Sequence, residues 1–341
     1  MSDLRIVTVA VDAVGGDFAP SAILEGVHRA LAGDTGLRVC LLGPEEIVVE
    51  HARKSERCDA VITTQTIDMD ENPVNAVRTK RDSSIVVGCR MVKETSADAF
   101  FSAGSTGACM AAATLTLGRI KGISRPAIAT VIPTERNPVV LLDVGANADC
   151  KPEYLLDFAR MGQAYARLAL GVGNPRIGLL NIGEEPSKGS QLSIDAHGML
   201  RESVPGFVGN IEGRDLTQGA VDVVVTDGFT GNVTLKLLEG VSKSLLTQVK
   251  AAMLSSVATK AAAVVLKPSL MRLKEKMSPD TYGGAPLLGV NGVCIIGHGS
   301  SSPLAVSNAI AMSAQMVRRG LLAEIARATA AQDVSDSESG R

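Results

Sequence analysis

The chain has no tryptophan, three tyrosines and six phenylalanines among its 341 residues. So few rings offer nucleic acid bases no stacking platform. A formal net charge of -2 supplies no field for a polyanion, so nucleic acid is not an expected partner. No apolar run reaches the roughly 18 residues of a membrane-crossing helix. The N-terminus has one basic residue and then a short strand-like run, 6–11, not the apolar core of a secretory signal. The six cysteines (Cys40, Cys58, Cys89, Cys109, Cys150, Cys294) are scattered without metal-ligand spacing and read as reduced thiols of a cytoplasmic protein. There is no H-E-x-x-H pair and no acidic or Cys/His cluster, so no metal and no other cofactor is expected.

What the chain does have is 45% hydrophobic residues and 34 glycines, which suit a closely packed α/β protein. Six times a short apolar run ends in a polar, Gly-rich loop followed by a helix-like pattern. The loops are 12–17 (DAVGGD), 102–108 (SAGSTGA), 143–147 (DVGAN), 181–189 (NIGEEPSKG), 227–232 (DGFTGN) and 297–301 (GHGSS). Strand–loop–helix units build a mainly parallel, doubly wound sheet, and such a sheet collects its loops on one rim where ligands bind. The pattern predicts all six loops on that rim, around something small and anionic. It reads 70–81 as a charged connection, 127–132 and 139–143 as a hairpin, 303–330 as one final helix, and the Ser/Asp-rich 331–341 as a disordered tail.

Each loop supports two readings. Gly104, Ser105, Thr106 and Gly107 set hydroxyls and N–H groups at a helix N-terminus, either an anion cradle or an ordinary cap. Asn147 is a candidate to orient a substrate, while Asp143 holds a backbone turn. Lys188 reaches an anion as a point charge or pairs with Glu184 or Glu185. Asn232 donates to a developing oxyanion or caps a helix. His298 and Ser300 are weaker candidates, as acid, base or cap. Cys109 either carries an acyl group or packs in the core.

Taken together, the motifs resemble the acyl-ACP:phosphate acyltransferases of bacterial phospholipid synthesis. They run in order from VDAVGGD at 11–17 through AVRTKRDSS at 76–84, SAGSTGA, DVGANADCKP at 143–152 and NIGEEPSKG. IEGRD at 211–215, TDGFTGN at 226–232, YGGAPLLGVNG at 282–292 and HGSS at 298–301 follow. Val14 and Ser190 depart from the family's usual Met and Asn. The resemblance implies an isocitrate/isopropylmalate dehydrogenase-like and phosphate acetyltransferase-like α/β fold with a projecting helical hairpin. It implies transfer of a long-chain acyl group from acyl carrier protein to inorganic phosphate. The acyl phosphate would feed a membrane glycerol-3-phosphate acyltransferase. Lys188 and Asn232 are then the catalytic candidates, with Gly104, Ser105, Thr106, Gly107, Asn147, His298 and Ser300 around the phosphate. Residues 1–330 form one unit of two α/β lobes, 1–135 plus 293–330, and 136–292 with the hairpin 233–280.

In that hairpin Lys250, Lys260, Lys267, Arg272, Lys274 and Lys276 face one acid, Glu275. Met253, Leu254, Val257, Ala258, Ala261, Val264 and Val265 recur at helical spacing, and Pro268 is expected to divide the two arms. A basic amphipathic pair suits an anionic membrane surface or a helical dimer contact, and the family uses such a region for both. Arg78, Lys80 and Arg81 form a second basic group that could meet the acidic carrier protein. The other readings are an NAD-dependent decarboxylating dehydrogenase on the related fold and a non-catalytic, membrane-docked carrier-protein scaffold. The first would need metal-binding aspartates and an arginine cluster, which are not found; the second leaves the polar loops unexplained.

Overall fold

A computed structural model describes residues 5–277 and 279–338, with the backbone alone described at 273–277, 279 and 331–338. The strands are β1 Val7–Asp12, β2 Leu37–Gly43, β3 Cys58–Ile62, β4 Ala99–Ser102, β5 Ala127–Ile132, β6 Val139–Leu142, β7 Ile177–Leu180, β8 Phe207–Ile211, β9 Val223–Val225, β10 Ala285–Leu288 and β11 Val293–Ile296. The helices are α1 Ser21–Gly33, α2 Glu45–Ala52, α3 Pro73–Thr79, α4 Ser84–Lys93, α5 Thr106–Thr116, α6 Pro152–Tyr165, α7 Gln191–Ser203, α8 Gly213–Gln218, α9 Gly228–Met253, α10 Val257–Met277, α11 Pro303–Arg319 and α12 Leu321–Glu338. A π-helical turn, Ala166–Leu170, extends α6.

All eleven strands lie in one sheet, in the order β3-β2-β1-β4-β11-β10-β5-β6-β9-β7-β8. Both of its faces are covered. Val7, Val9 and Val11 of β1 point into a core shared with α1, α6 and α11, while Ala10 points into a second core shared with α3, α4 and α5. The short apolar runs of the sequence are therefore strands buried on both sides, which is why they show no alternation.

The loops do not share one rim. β11/β10, β10/β5 and β5/β6 are antiparallel, and every other pairing is parallel. Three reversals leave β6, β7, β8 and β9 running opposite to β1, β2, β3, β4 and β11. The loops after β1, β4 and β11 thus leave the sheet one way and those after β6, β7 and β9 the other. Register brings the two sets to a similar level. Ile295 of β11 pairs with Pro286, the next residue, Leu287, pairs with Ile128, and Ala129 pairs with Leu142 at the end of β6. Three inter-strand spacings separate β11 from β6, about 14 Å across the sheet.

Other boundaries also differ from expectation. The stretch read as a charged connection contains α3, which starts at Asn72 with its side chain accepting from the Asn75 N–H and with Pro73 in the first turn. The last helix is two, divided at Gly320, a left-handed cap. α12 continues to Glu338, so most of the stretch expected to lack structure is helical, while 339–341 lie outside the described residues. The hairpin turns at 254–256 rather than at Pro268, which lies inside α10. Ser256 and Thr259 explain the turn: the Ser256 N–H donates to Thr259 Oγ1 at 3.0 Å, and the Thr259 N–H donates to Ser256 Oγ at 3.1 Å. That reciprocal cap starts α10. Proline removes one interior bond, but on this exposed helix water can take the freed carbonyl.

Candidate active site

The first group of loops is stitched together by buried polar contacts. Asp12 at the end of β1 is 1% exposed; its Oδ2 accepts from Ser102 Oγ at 2.7 Å, and Ser102 Oγ accepts from the Gly104 N–H at 3.0 Å. Burial pushes the Asp12 carboxyl up, and hydrogen bonds from Ser102 and Ser84 partly offset this. The Asp17 N–H donates to the Gly299 carbonyl at 2.7 Å, tying the loop after β1 to the loop after β11.

Here the structure places Gly104, Ser105, Thr106, Gly107, His298 and Ser300. Ser105 is a buried N-cap whose Oγ accepts from the Ala108 N–H at 3.4 Å, and Thr106 is exposed beside it. Gly107 serves packing, since a Cβ there would lie 2.6 Å from Pro73 Cγ. His298 is exposed, with Nδ1 2.8 Å from Ser300 Oγ, and its carbonyl accepts from Ser301 Oγ at 2.6 Å. Cys109 lies below this group with no exposed surface, and burial pushes its thiol well above the ordinary range. A buried, protonated thiol is a poor nucleophile, so its place is in the core.

The second group is built around Asp143, which has no exposed surface. Its Oδ1 accepts from the N–H groups of Ile128, Gly145 and Ala146 at 3.1, 3.2 and 3.0 Å. Its Oδ2 accepts from the Asn147 N–H at 2.7 Å and from Asn147 Nδ2 at 2.9 Å. Burial raises this carboxyl too, and the N–H groups oppose the rise. Asn147 Nδ2 also donates to the Pro126 carbonyl at 2.8 Å. Both amide hydrogens of Asn147 point inward, so this side chain braces the turn and has no donor left for a phosphate.

α9 packs its first turns on that brace. A Cβ on Gly231 would lie 1.9 Å from the Asp143 carbonyl oxygen, so no side chain fits where the helix crosses the turn. Asp227 caps α9, accepting from the Thr230 N–H at 2.9 Å. The capping role open to Asn232 in the sequence is thus taken by Asp227, and Asn232 lies in the second turn. Gly145 has φ +134°, and a Cβ there would come 2.9 Å from Asn232 Nδ2; glycine both permits this backbone and leaves room for the amide.

A cavity of about 450 Å³ opens beside Asn232, lined also by Gly145, Ala148, Phe229, Val233 and Lys236. Positions 229, 232, 233 and 236 share one face of α9. Lys236, Phe229 and Val233 were not singled out from the sequence. The available signal was helical spacing: Lys236 is one turn beyond Asn232, outside any Gly-rich loop.

Lys188 lies in the loop after β7, the strand next to β9, with Leu179 paired to Val225. It is exposed and makes no ion pair among the described residues; Arg214 takes Glu184 at 3.7 Å. Ser190, where the family more often has Asn, caps α7 by accepting from the Ser193 N–H at 3.3 Å, a role either residue fills. Asn232 and Lys188 are thus brought to neighbouring strand ends, and the group around Ser105 and His298 is not. In the basic group at 78–81, Lys80 Nζ is committed to Glu71 at 2.5 Å and the Thr66 carbonyl at 2.7 Å, leaving Arg78 and Arg81 exposed.

This fold is that of the phosphotransacylases. A branched-chain phosphotransacylase from Enterococcus faecalis superposes with a TM-score of 0.59, covering 91% of this chain and 99% of that one at 14% identity. At that identity the likeness speaks for the fold alone. Residues 7–324 match the family described as fatty acid synthesis protein. The chain is 48% identical over 333 residues to a phosphate acyltransferase of Desulfitobacterium hafniense, covering 95% of this chain and 99% of the relative. It is 45% identical over 318 residues to one of Bacillus cereus, covering 93% and 96%. The chain belongs to the phosphate acyltransferase family.

Proposed function

We propose that the protein transfers a long-chain fatty acyl group from the thioester of acyl carrier protein to inorganic phosphate, giving acyl phosphate for phospholipid synthesis. Full-length similarity to phosphate acyltransferases carries this reading, and the cavity at Asn232 suits its chemistry. A phosphate oxygen attacks the thioester carbonyl, the C–O bond forms, the C–S bond breaks, and the thiolate leaves and takes a proton from water. With a thiol pKa of about 8.5 the leaving group needs little acid assistance. What the site must supply is charge for the phosphate dianion, a donor for the oxyanion and a fixed approach. Lys188 and Lys236 supply the charge and Asn232 the donor. Phe229 and Val233, at 67% and 52% exposure, form the cavity's apolar wall and take the part of the acyl chain nearest the carbonyl.

Incubating purified protein with palmitoyl-acyl carrier protein tests this. Thiol release that depends on phosphate, with acyl phosphate trapped by hydroxylamine, is expected; release at equal rate without phosphate contradicts it. Val233→Trp should lower kcat/KM about tenfold for C8 and C16 donors alike, since both share the carbons nearest the carbonyl and one lost pocket contact is worth about 1–3 kcal/mol. Unchanged kcat/KM for both donors would move the chain elsewhere.

The same reading makes the enzyme a homodimer that binds membrane surfaces reversibly and hands its product to a membrane glycerol-3-phosphate acyltransferase. Among the described residues no helix is long and apolar enough to cross a membrane. Leu254, Val257, Val264 and Val265 at the hairpin tip are 50%, 85%, 73% and 79% exposed, with Ala261 exposed and Met253 half-buried beside them. Lys250, Lys260 and Lys267 are exposed nearby, while the side chains of Lys274 and Lys276 lie outside those described. This composition suits insertion among anionic headgroups. Further down α9, exposed Leu237, Val241 and Leu245 offer the dimer contact. Leu254→Glu should weaken sedimentation with phosphatidylglycerol vesicles about tenfold, as expected from losing about 1.5 kcal/mol or more of leucine burial. Unchanged sedimentation would remove the tip from the membrane contact.

A further inference from the structure

We propose that Asn210 is a positioning residue for this reaction, holding the Lys188 loop in place through the backbone carbonyl of Glu185. The proposal rests on the reading of Lys188 as the phosphate's cation. Asn210 lies on β8, 7% exposed, and its Nδ2 donates to the Glu185 carbonyl at 2.8 Å, a contact across 25 residues of chain. That carbonyl also accepts from the Lys188 N–H at 3.1 Å. On the other side of Lys188, its own carbonyl accepts from Asn181 Nδ2 at 2.9 Å. Gly189, with φ +94°, closes the loop so tightly that a Cβ there would lie 2.3 Å from Asn181 Oδ1. Both backbone groups of Lys188 are thus fixed, one by the turn from Glu185 and one by Asn181. The turn from Glu185 is anchored to the sheet by Asn210. A lysine that reaches an anion from an exposed loop depends on such an anchor, because a small misplacement at the reacting centre has a large rate effect.

The second observation is the other half of the same side chain. Asn210 Oδ1 is buried and has no hydrogen-bond partner among the described residues. An unmade bond at a buried acceptor is unfavourable by at least as much as one made bond is favourable. For stability alone leucine would serve this site as well as asparagine. The amide therefore contributes to the loop rather than to the fold.

The test is Asn210→Leu in the full-length enzyme, assayed with palmitoyl-acyl carrier protein and inorganic phosphate. The KM for phosphate should rise about tenfold, with the KM for the acyl donor within twofold of the parent and Tm within a few degrees. In a Lys188→Ala background the same substitution should change phosphate KM less than twofold, because its route of action is already gone. An unchanged phosphate KM in the single variant overturns the proposal. So does a tenfold rise repeated in the Lys188→Ala background, or a large fall in Tm with both KM values raised alike. If Asn210→Leu is silent while Lys188→Ala is impaired, the positioning role alone falls. If Lys188→Ala is itself unimpaired, the reading of Lys188 falls with it.

Discussion

Asn232→Ala should lower kcat about 10²–10³-fold, the usual loss when one oxyanion donor is removed. Its side chain makes no hydrogen bond among the described residues, and it stands against Gly145, which has no Cβ to block it. The amide is thus free to donate to a substrate. Alanine is the best helix former, and position 232 is only half-buried, so α9 should keep its place and Tm should hold. Asn232→Asp should be no better than alanine: it keeps the size but sets a second negative charge beside the phosphate. Steady-state kinetics with both substrates varied would check this. A kcat within a few-fold of the parent would remove Asn232 from the chemistry.

Lys188→Ala should lower kcat/KM for phosphate about 10–10²-fold. This follows from the roughly 1.5–3 kcal/mol that a hydrogen bond to a charged group contributes. The loss should fall mostly on phosphate KM, because the ammonium holds the dianion before and during attack. Lys188→Arg should recover only part of it, since the planar fork is not a point charge. None of the neighbouring acids makes an ion pair with this lysine among the described residues. Arg214 takes Glu184 and also Glu212, at 3.0 Å, and Glu185, the acid nearest in sequence, lies beside Lys188 without pairing with it. Wild-type phosphate kinetics in Lys188→Ala would leave Lys236 as the cation that matters.

Much of the strand framework around this candidate site was legible in the sequence. The apolar runs ending at Asp12, Ser102 and Asp143 are the buried strands β1, β4 and β6, and their buried polar ends organise the turns. Lys188 and Asn232 do come to adjacent strand ends. What local pattern could not reveal was direction. β10 is four residues long, contains Pro286 and pairs with β5, far away in sequence, as well as with the nearby β11, and no strand was expected there. Yet it supplies two of the three reversals that turn half the sheet over. The loop motifs then divide into two groups instead of sharing one rim.

Other misses also have physical causes. Asn147 is the kind of residue that binds ligands, but its amide is spent on Asp143 and Pro126, a contact fixed only in the fold. Lys236 reaches the cavity by helical spacing, not by lying in a glycine loop. Asn210 interrupts an otherwise apolar strand end, and its partner, the Glu185 carbonyl, is fixed only in the fold. Pro268 is tolerated in α10 because that helix is exposed, whereas the reciprocal Ser256–Thr259 cap gave no strong signal in the sequence.

The central claim is that an oxygen of inorganic phosphate becomes the bridging oxygen of the product. The most direct measurement is a single turnover of palmitoyl-acyl carrier protein with fully ¹⁸O-labelled phosphate, with the products weighed by mass spectrometry. Acyl phosphate carrying every label, formed in step with free carrier thiol, is the predicted result. Palmitate released without phosphate, or acyl transferred to the protein before phosphate is added, would contradict direct attack.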